Sequence, residues 1–320
     1  LWFDKFLSSQ ANEGEAQPKT ELVREVAGIP SPELYKAFYT RWKSQLQASG
    51  ASVREAVASG RLSVGLGSES VIETSISFHR TYGVPVIPGS ALKGLASAYA
   101  HQQLEGDEWR KATKDSPQGA AHRTIFGSSA DNDAEAGFVT FFDALWIPGS
   151  GAIEGRPFAP DVMSVHHAEY YRGDNVPPAD WDSPTVVSFL TATGSFLIAL
   201  AGPDEWVDAA FEILGLALAD YGVGAKTSSG YGRMKLAPKP VDPDFEKAEF
   251  IISKVNALKP NDVPTQLGQA ISGWKDLRDG SSFKLKAAKV IVEKGSSWKG
   301  AKGKEWFQAI LQYIETNEGK

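Results

Sequence analysis

Hydrophobic and polar positions change period several times along this chain, and each change marks an element. In "PELYKAFYTRWKSQLQ" (Pro32–Gln47) the apolar residues Leu34, Tyr35, Phe38, Tyr39, Trp42 and Leu46 share one helical face, with proline at the start. From residue 61 the period shortens. "RLSVGLG" (61–67) and "VIETSISFHRTYGVPVIPG" (71–89) are rich in Val, Ile and Thr and bounded by Gly and Pro, which predicts strands. A helix follows: Ser90 reads as its N-cap, and Ala91, Leu92, Leu95, Ala96 and Tyr99 recur at helical spacing. "GFVTFFDALWIPG" (Gly137–Gly149) returns to strand character. "TVVSFLTATGSFLIALAG" (Thr185–Gly202) reads as two strands with a hairpin-like Thr-Gly-Ser between them. In "PDEWVDAAFEILGLALADYG" (Pro203–Gly222) proline and acids open a helix and glycine closes it.

Two stretches lack such periodicity. Residues 147–184 are Gly/Pro-rich and read as a long insertion, and "APKPVDPDF" (Ala237–Phe245) reads as a break. The expected organisation is a helical N-terminal segment (1–60), a core (61–240, insertion at about 147–184) and a mostly helical C-terminal appendage (241–320). Strand, helix, strands, helix and strand in that order predict an α+β fold. It matches an elaborated βαββαβ unit, the ferredoxin-like (RRM-like) arrangement, carrying helical additions at both ends.

Composition narrows the chemistry. With no cysteine, the chain can form no disulfide, Cys-ligated zinc site or catalytic thiolate. No apolar run approaches the length of a membrane span, and the first residues lack the basic flank and apolar core of a secretory signal. A cytoplasmic protein with no membrane partner is expected. The net charge of −6 argues against general nucleic-acid binding, but the charge is segregated. Lys284–Lys304 holds seven lysines against one acid, Glu293, while acids gather at Asp131–Glu135 and Asp204–Glu212. A solvated face is the ordinary reading of such a lysine run, and salt-sensitive contact with RNA is the alternative.

Several catalytic motifs fail. "YGVGAKTSSG" lacks the P-loop glycines, with Ala225 and Asp220 at their positions, and "GSSWKGAKG" has Ala301 where the lysine is required. "GLGSES" and "GVGAKT" both lack the third glycine of a dinucleotide fingerprint. Asp161, His166, His167 and Glu169 form the most metal-like group, but adjacent histidines point apart in extended chain, so no metal and no cofactor are expected. His79 in "SFHRTYG" fits either a general acid/base for RNA cleavage or a strand histidine bonded to RNA or a neighbouring loop. No second catalytic group stands near it in sequence.

What remains is a pair of segments suited to phosphate. One is the helix start at Pro88-Gly89-Ser90 with Lys93, where backbone N–H groups and a cation meet. The other, Gly222–Arg233, combines four glycines, three hydroxyls (Thr227, Ser228, Ser229) and two cations (Lys226, Arg233). Tyr231 adds a flat face for stacking. A tight structural turn is the competing reading of that loop.

"IPGSALKGLASAYA" together with "GVGAKTSSGYGRM" resembles the RAMP superfamily of CRISPR-associated proteins. "GLGSESVIETSISFHRTYGVPVIPGSALKG", "IFGSS", "GFVTFFDALWIP", "DVMSVHHAEYY" and "PPADWDSPTVVSFL", in that order over residues 60–236, are similar to the sixth-subunit family of type III-B Cmr effector complexes. The resemblance implies a non-catalytic subunit that binds guide CRISPR RNA, meets target RNA through the complex, and caps the backbone subunits near the guide's 3′ end beside the first subunit. Such machines serve antiviral defence. Carried over, Ser90, Lys93 and the segment Lys226, Thr227, Ser228, Ser229, Tyr231 and Arg233 are the guide contacts, with His79 and Arg80 leading into them. The insertion around Asp161–Tyr171 would be a thumb-like element. Two alternatives stay open: a guide-processing ribonuclease using histidine, and an adaptor that binds only protein.

Overall fold

The computed structural model describes residues 2–5, 7, 17–70, 73–114, 116–128, 134–165, 170, 173, 177–181, 185–239, 243–259 and 262–317. The chain divides into two compact units, Leu1–Pro238 and Lys239–Lys320. His166, His167, Glu169, Asp131 and Asp133 lie outside the described residues.

The first unit opens with α1 (Trp2–Lys5), α2 (Gln17–Ala27) and α3 (Glu33–Ala48). Then comes β1 (Ser52–Ala58), a seven-residue strand inside the sheet that corrects the expectation of a purely helical segment up to residue 60. Its signal is weak because Arg54 and Glu55 interrupt the apolar pattern. The larger sheet runs β2 (Val86–Ile87), β4 (Ala144–Trp146), β7 (Ser195–Ala201), β1, β8 (Met234–Leu236), with β3 (Thr140–Phe141) also paired to β7. Every pairing is antiparallel. The strands expected at 61–67 and 71–89 shrink to the bridges Leu62↔Ala192 and Phe78↔Pro85 and to two-residue β2. Glycines at positive φ (Gly65, Gly83) and Pro85 break the ladder there.

The stretch Thr185–Gly202 is not a hairpin. Its first half, β6 (Thr185–Ala192), pairs with β5 (Phe158–Val165) over eight residues in a separate two-stranded sheet, while β7 belongs to the main sheet. Gly194 makes the corner at φ +96°, where a Cβ would stand 2.6 Å from Ser150 Oγ. Trp146 braces it, donating from Nε1 to the Thr193 carbonyl at 2.8 Å. The insertion thus carries one long arm of a hairpin whose other arm is β6.

Two helices, α4 (Gly89–Gln103) and α6 (Asp204–Asp220), pack together against the main sheet; α5 (Ala120–Phe126) lies beside α4. The core between them includes Leu92, Ala96, Ile125, Phe196, Ile198, Phe211 and Leu214. Each such large apolar side chain contributes about 1.5–3 kcal/mol on burial. Both helices start near β3: Gly89 abuts the Phe141 carbonyl, and α6 follows β7 at Ala201, the partner of Thr140. Both finish at Tyr221, since Tyr99 donates to Asp220 at 2.8 Å and Gln103 to the Tyr221 hydroxyl at 2.6 Å. Accordingly α4 and α6 run in the same direction. In a minimal β–α–β crossover the helix runs back against its strands; here β2 makes the return, and α4 runs with β1.

The second unit is four helices, α7 (Pro243–Ala257), α8 (Val263–Lys275), α9 (Ser282–Ser296) and α10 (Glu305–Asn317), around Ala248, Val255, Leu267, Ala287, Ile291 and Ile310. No helix among the described residues is long and apolar enough to cross a membrane.

Candidate nucleic-acid interface

The sequence-predicted residues fall in three places. At the first, Ser90 is not the N-cap: that position is held by Pro88, whose carbonyl accepts from Ala91 and Leu92. Ser90 sits in the first turn, exposed. The Gly89 N–H is taken by Asp143 Oδ1 at 2.8 Å, so a carboxylate already occupies part of the anion-attracting helix end. Gly89 is required because a Cβ would stand 2.2 Å from the Phe141 carbonyl oxygen. What stays open is the side of the helix. Ser90, Lys93, Gly94 and Ser97 line a groove of about 650 Å³ with Lys111, Gln118, His122 and Ser128 on the far wall.

In the wall of that groove lies a cluster with a fixed proton arrangement. Gln118 Nε2 donates to the Gly127 carbonyl at 2.8 Å, which orients its amide, and to His122 Nδ1 at 2.7 Å. The imidazole hydrogen is therefore on Nε2 and is donated to Ser97 Oγ, 3.0 Å away. Burial holds the His122 pKa below its ordinary value. A histidine that donates to a serine is not poised to take that serine's proton, so this pair is structural in form. The groove's charged side chains are then Lys93, Lys111 and Glu135, the last paired with Arg123 at 2.7 Å.

The second place is the loop Gly222–Arg233. It is built on the chain after β1: Ala225 N–H donates to the Ser63 carbonyl at 2.7 Å and Gly232 N–H to Arg61 at 2.8 Å. Gly222, Gly224, Gly230 and Gly232 all take positive φ, and Gly232 is the most confined, with a Cβ position 2.1 Å from the Val223 oxygen. Lys226 also takes positive φ, +58°, a conformation that costs an L-residue about 1–2 kcal/mol. Thr227–Ser229 form a single 3₁₀ turn that leaves Ser228, Ser229 and Gly230 exposed. Arg233 is committed in part to the Ala219 carbonyl at 2.9 Å.

Tyr231 does not offer a free stacking face. Its hydroxyl donates to Asp161 Oδ2 at 2.7 Å, and its ring leans on Phe189, 6.0 Å between centroids. Asp161 is also held by Arg61 at 2.8 Å. Burial raises the Asp161 pKa, yet bonds from Tyr231, the Val162 N–H and Arg61 outweigh it and leave the carboxyl below its ordinary range. Burial and that same carboxylate push the Tyr231 phenol up to about 12. The three side chains form a strut between loop and hairpin. Among the described residues no three potential metal ligands come together, and Asp161's partners are Arg61, Tyr231 and the Val162 N–H.

The third place holds His79 and Arg80 on a turn closed by Gly83 N–H to the His79 carbonyl. The His79 ring is packed by Tyr35, Phe38 and Tyr82 at 6.5, 5.2 and 5.0 Å. Arg80 is exposed.

The first two places are not one pocket. They sit at opposite ends of α4, whose 15 residues span about 22 Å at ~1.5 Å per residue. Sequence reasoning missed Lys111, Gln118, His122, Ser128 and Asp143 at the first, and Arg61 at the second. None carries a local signal, because each reaches its site only through the packing of α5, the β3–β4 turn or the chain after β1.

A family model, the RAMP superfamily, matches residues 57–235, more than half of the chain. The chain belongs to the RAMP superfamily. A RAMP-superfamily chain is expected to match beyond its motifs, and this one is similar to the CRISPR system Cmr subunit Cmr6 of Pyrococcus furiosus. The two are 36% identical over 250 residues, which cover 63% of this chain and 73% of the relative. A chain in the cryo-EM structure of the type III-B Cmr-beta bound to cognate target RNA matches with a TM-score of 0.50 at 21% identity, over 72% of this chain and 77% of that one. The crystal structure of Cmr6 from Pyrococcus furiosus is 32% identical over 58% of this chain and 98% of that one, with a TM-score of 0.37. As a RAMP protein the chain is α+β with an antiparallel sheet and helical additions.

Proposed function

We propose that this chain is a Cmr6-like, non-catalytic subunit of a type III-B CRISPR effector complex, binding guide RNA and capping the backbone subunits near the guide's 3′ end. The 36% identity to Cmr6 across 250 residues carries the reading. In it, strands β8-β1-β7-β4 with α4 and α6 are an elaborated ferredoxin-like core, and two patches toward opposite ends of α4 contact one RNA strand. Lys93 and Lys111 meet phosphates at one end; Lys226, Ser228 and Ser229 meet them at the other. Lys226 supports this: a lysine kept at φ +58°, where glycine is at ease, points to a task for its side chain. Arg80 and the β5–β6 hairpin face neighbouring subunits or target RNA.

A non-catalytic role suits the surroundings of His79 and His122. His79 lies in an aromatic nest, and His122 donates to Ser97. Isolation of the chain from its native cells, with sequencing of the RNA that accompanies it and weighing of the particle, tests the proposal. Spacer-containing RNAs with a shared repeat-derived 5′ tag in a multi-subunit particle are expected. A lone protein without RNA overturns it, and metal-independent cleavage abolished by His79→Ala would establish the ribonuclease instead.

A further inference from the structure

The second unit carries a groove that the proposed guide-binding core does not use. Alone, residues 239–320 hold fourteen Lys and Arg against eleven Asp and Glu, a net +3, whereas residues 1–238 hold nineteen against twenty-eight, a net −9. The lysine-rich segment divides when folded. Lys284 is buried, with its ammonium on the Leu277 carbonyl at 2.6 Å and Asp279 at 2.8 Å and over the Trp274 ring at 4.9 Å. Lys286 pairs with Glu249 at 2.9 Å, and Lys294 donates to the Asn256 carbonyl at 3.1 Å. Lys299, Lys302 and Lys304 are exposed and make no ion pair among the described residues, and neither does Lys275 at the end of α8.

Lys275 and Lys304 flank a groove of about 590 Å³ between α8 and α10. Trp274, Trp306, Ile271 and Ile310 line it, and Glu305 is the sole acid among its lining residues. Lys304 also stands 5.7 Å from the Trp298 ring centre. Trp274 is held by its Nε1 bond to the Lys284 carbonyl at 3.0 Å. The half-buried Trp306 indole beside Lys275 and Lys304 matches a base flanked by its phosphates, independently of sequence, with buried Trp274 as the groove's apolar wall.

We infer that this groove binds single-stranded RNA, with Trp306 as the stacking face and Lys275 and Lys304 as phosphate contacts, as a second site beyond the core. The test is fluorescence anisotropy of the full chain with a labelled oligouridylate over a salt series. It compares the wild type, Lys275→Ala/Lys304→Ala, Trp306→Phe, Trp306→Ala and a core variant, Lys93→Ala/Lys226→Ala. The groove double variant should weaken binding about tenfold and flatten the salt slope by about 1.4, two phosphates at ~0.7 each for single strands. Trp306→Phe should retain most affinity and Trp306→Ala lose it, with circular dichroism showing which variants fold. Unchanged affinity and slope in the lysine variant overturn the inference, as does loss of assembly with partner proteins while RNA affinity holds. Loss in the core variant alone would leave the core reading standing and remove this one; loss in the groove variants alone would do the reverse.

Discussion

The start of α4 and the Gly222–Arg233 loop look alike in sequence: each offers glycine, hydroxyls and lysine. Folded, they differ in which of those groups are free. At α4 the backbone end is partly taken, since Asp143 holds the Gly89 N–H and Pro88 closes the first turn. The open chemistry lies in the groove beside the helix, at Lys93 on α4 and Lys111 across from it. At the loop the backbone bonds to Arg61 and Ser63, Tyr231 is tied to Asp161, and the apex Ser228–Gly230 is exposed. Composition identifies segments capable of holding a phosphate; hydrogen-bond accounting shows which donors remain to do it.

The sharpest separation within the loop comes from its glycines. Gly232→Ala places a methyl 2.1 Å from the Val223 oxygen at φ +74°, and we expect a loss of about 3 kcal/mol or more in urea unfolding. Gly230→Ala, at φ +90° with nothing within 4 Å, should cost only the conformational strain, about 1–2 kcal/mol. Equal costs would mean that the loop does not close Gly232 against Val223 as described.

Next in size is the strut. Asp161→Asn keeps the shape but removes the charge that Arg61 and Tyr231 share, at an expected cost of about 1.5–3 kcal/mol. Hydrogen exchange should quicken in Gly230–Arg233 and Phe158–Val162 and stay unchanged in α4. The effect depends on pH. The Asp161 carboxyl titrates lower folded than unfolded, so its contribution is complete above the unfolded value, ~3.9, and disappears as pH falls through the folded one. The gap between wild type and Asp161→Asn should thus be constant from pH 7 to about 5 and narrow below about 4. A constant gap down to pH 2 would remove the strut.

How much of this was legible beforehand follows from range. Helices α3, α4 and α6 were readable because their apolar spacing is local, and the Gly-rich loop because positive φ selects glycine. Strand β1 was not, since Arg54 turns inward to Asp208 and Phe211 and breaks the alternation a reader looks for. Nor was the partner of β6: Thr-Gly-Ser is good hairpin composition, and only Ser150 and Trp146, about 50 residues earlier, turn it into a corner between sheets. Ser97, Gln118 and His122 carry no mutual signal, because α4 and α5 must first pack.

Lys226 probes the same contrast with the opposite sign. Lys226→Gly should relieve the positive-φ strain and stabilise the chain by about 1 kcal/mol, while weakening RNA binding. Lys93→Ala lies on ordinary helix and should weaken binding with no gain in stability. If Lys226→Gly stabilises and binding is unaffected, the loop is a turn and only the α4 end contacts RNA.

The smallest effects decide where the helix end is capped. If Asp143 is the capping group, Asp143→Ala removes both a hydrogen bond to Gly89 and a negative charge from the positive end of α4, costing about 1 kcal/mol. Ser90→Ala, one residue inside the helix and bonded to no cap, should change stability by less than ~0.5 kcal/mol, because alanine is at home in a first turn. The reverse order, Ser90→Ala costly and Asp143→Ala silent, would return Ser90 to the N-cap. It would also free the Gly89 N–H for phosphate and make the two segments as similar in structure as they are in sequence.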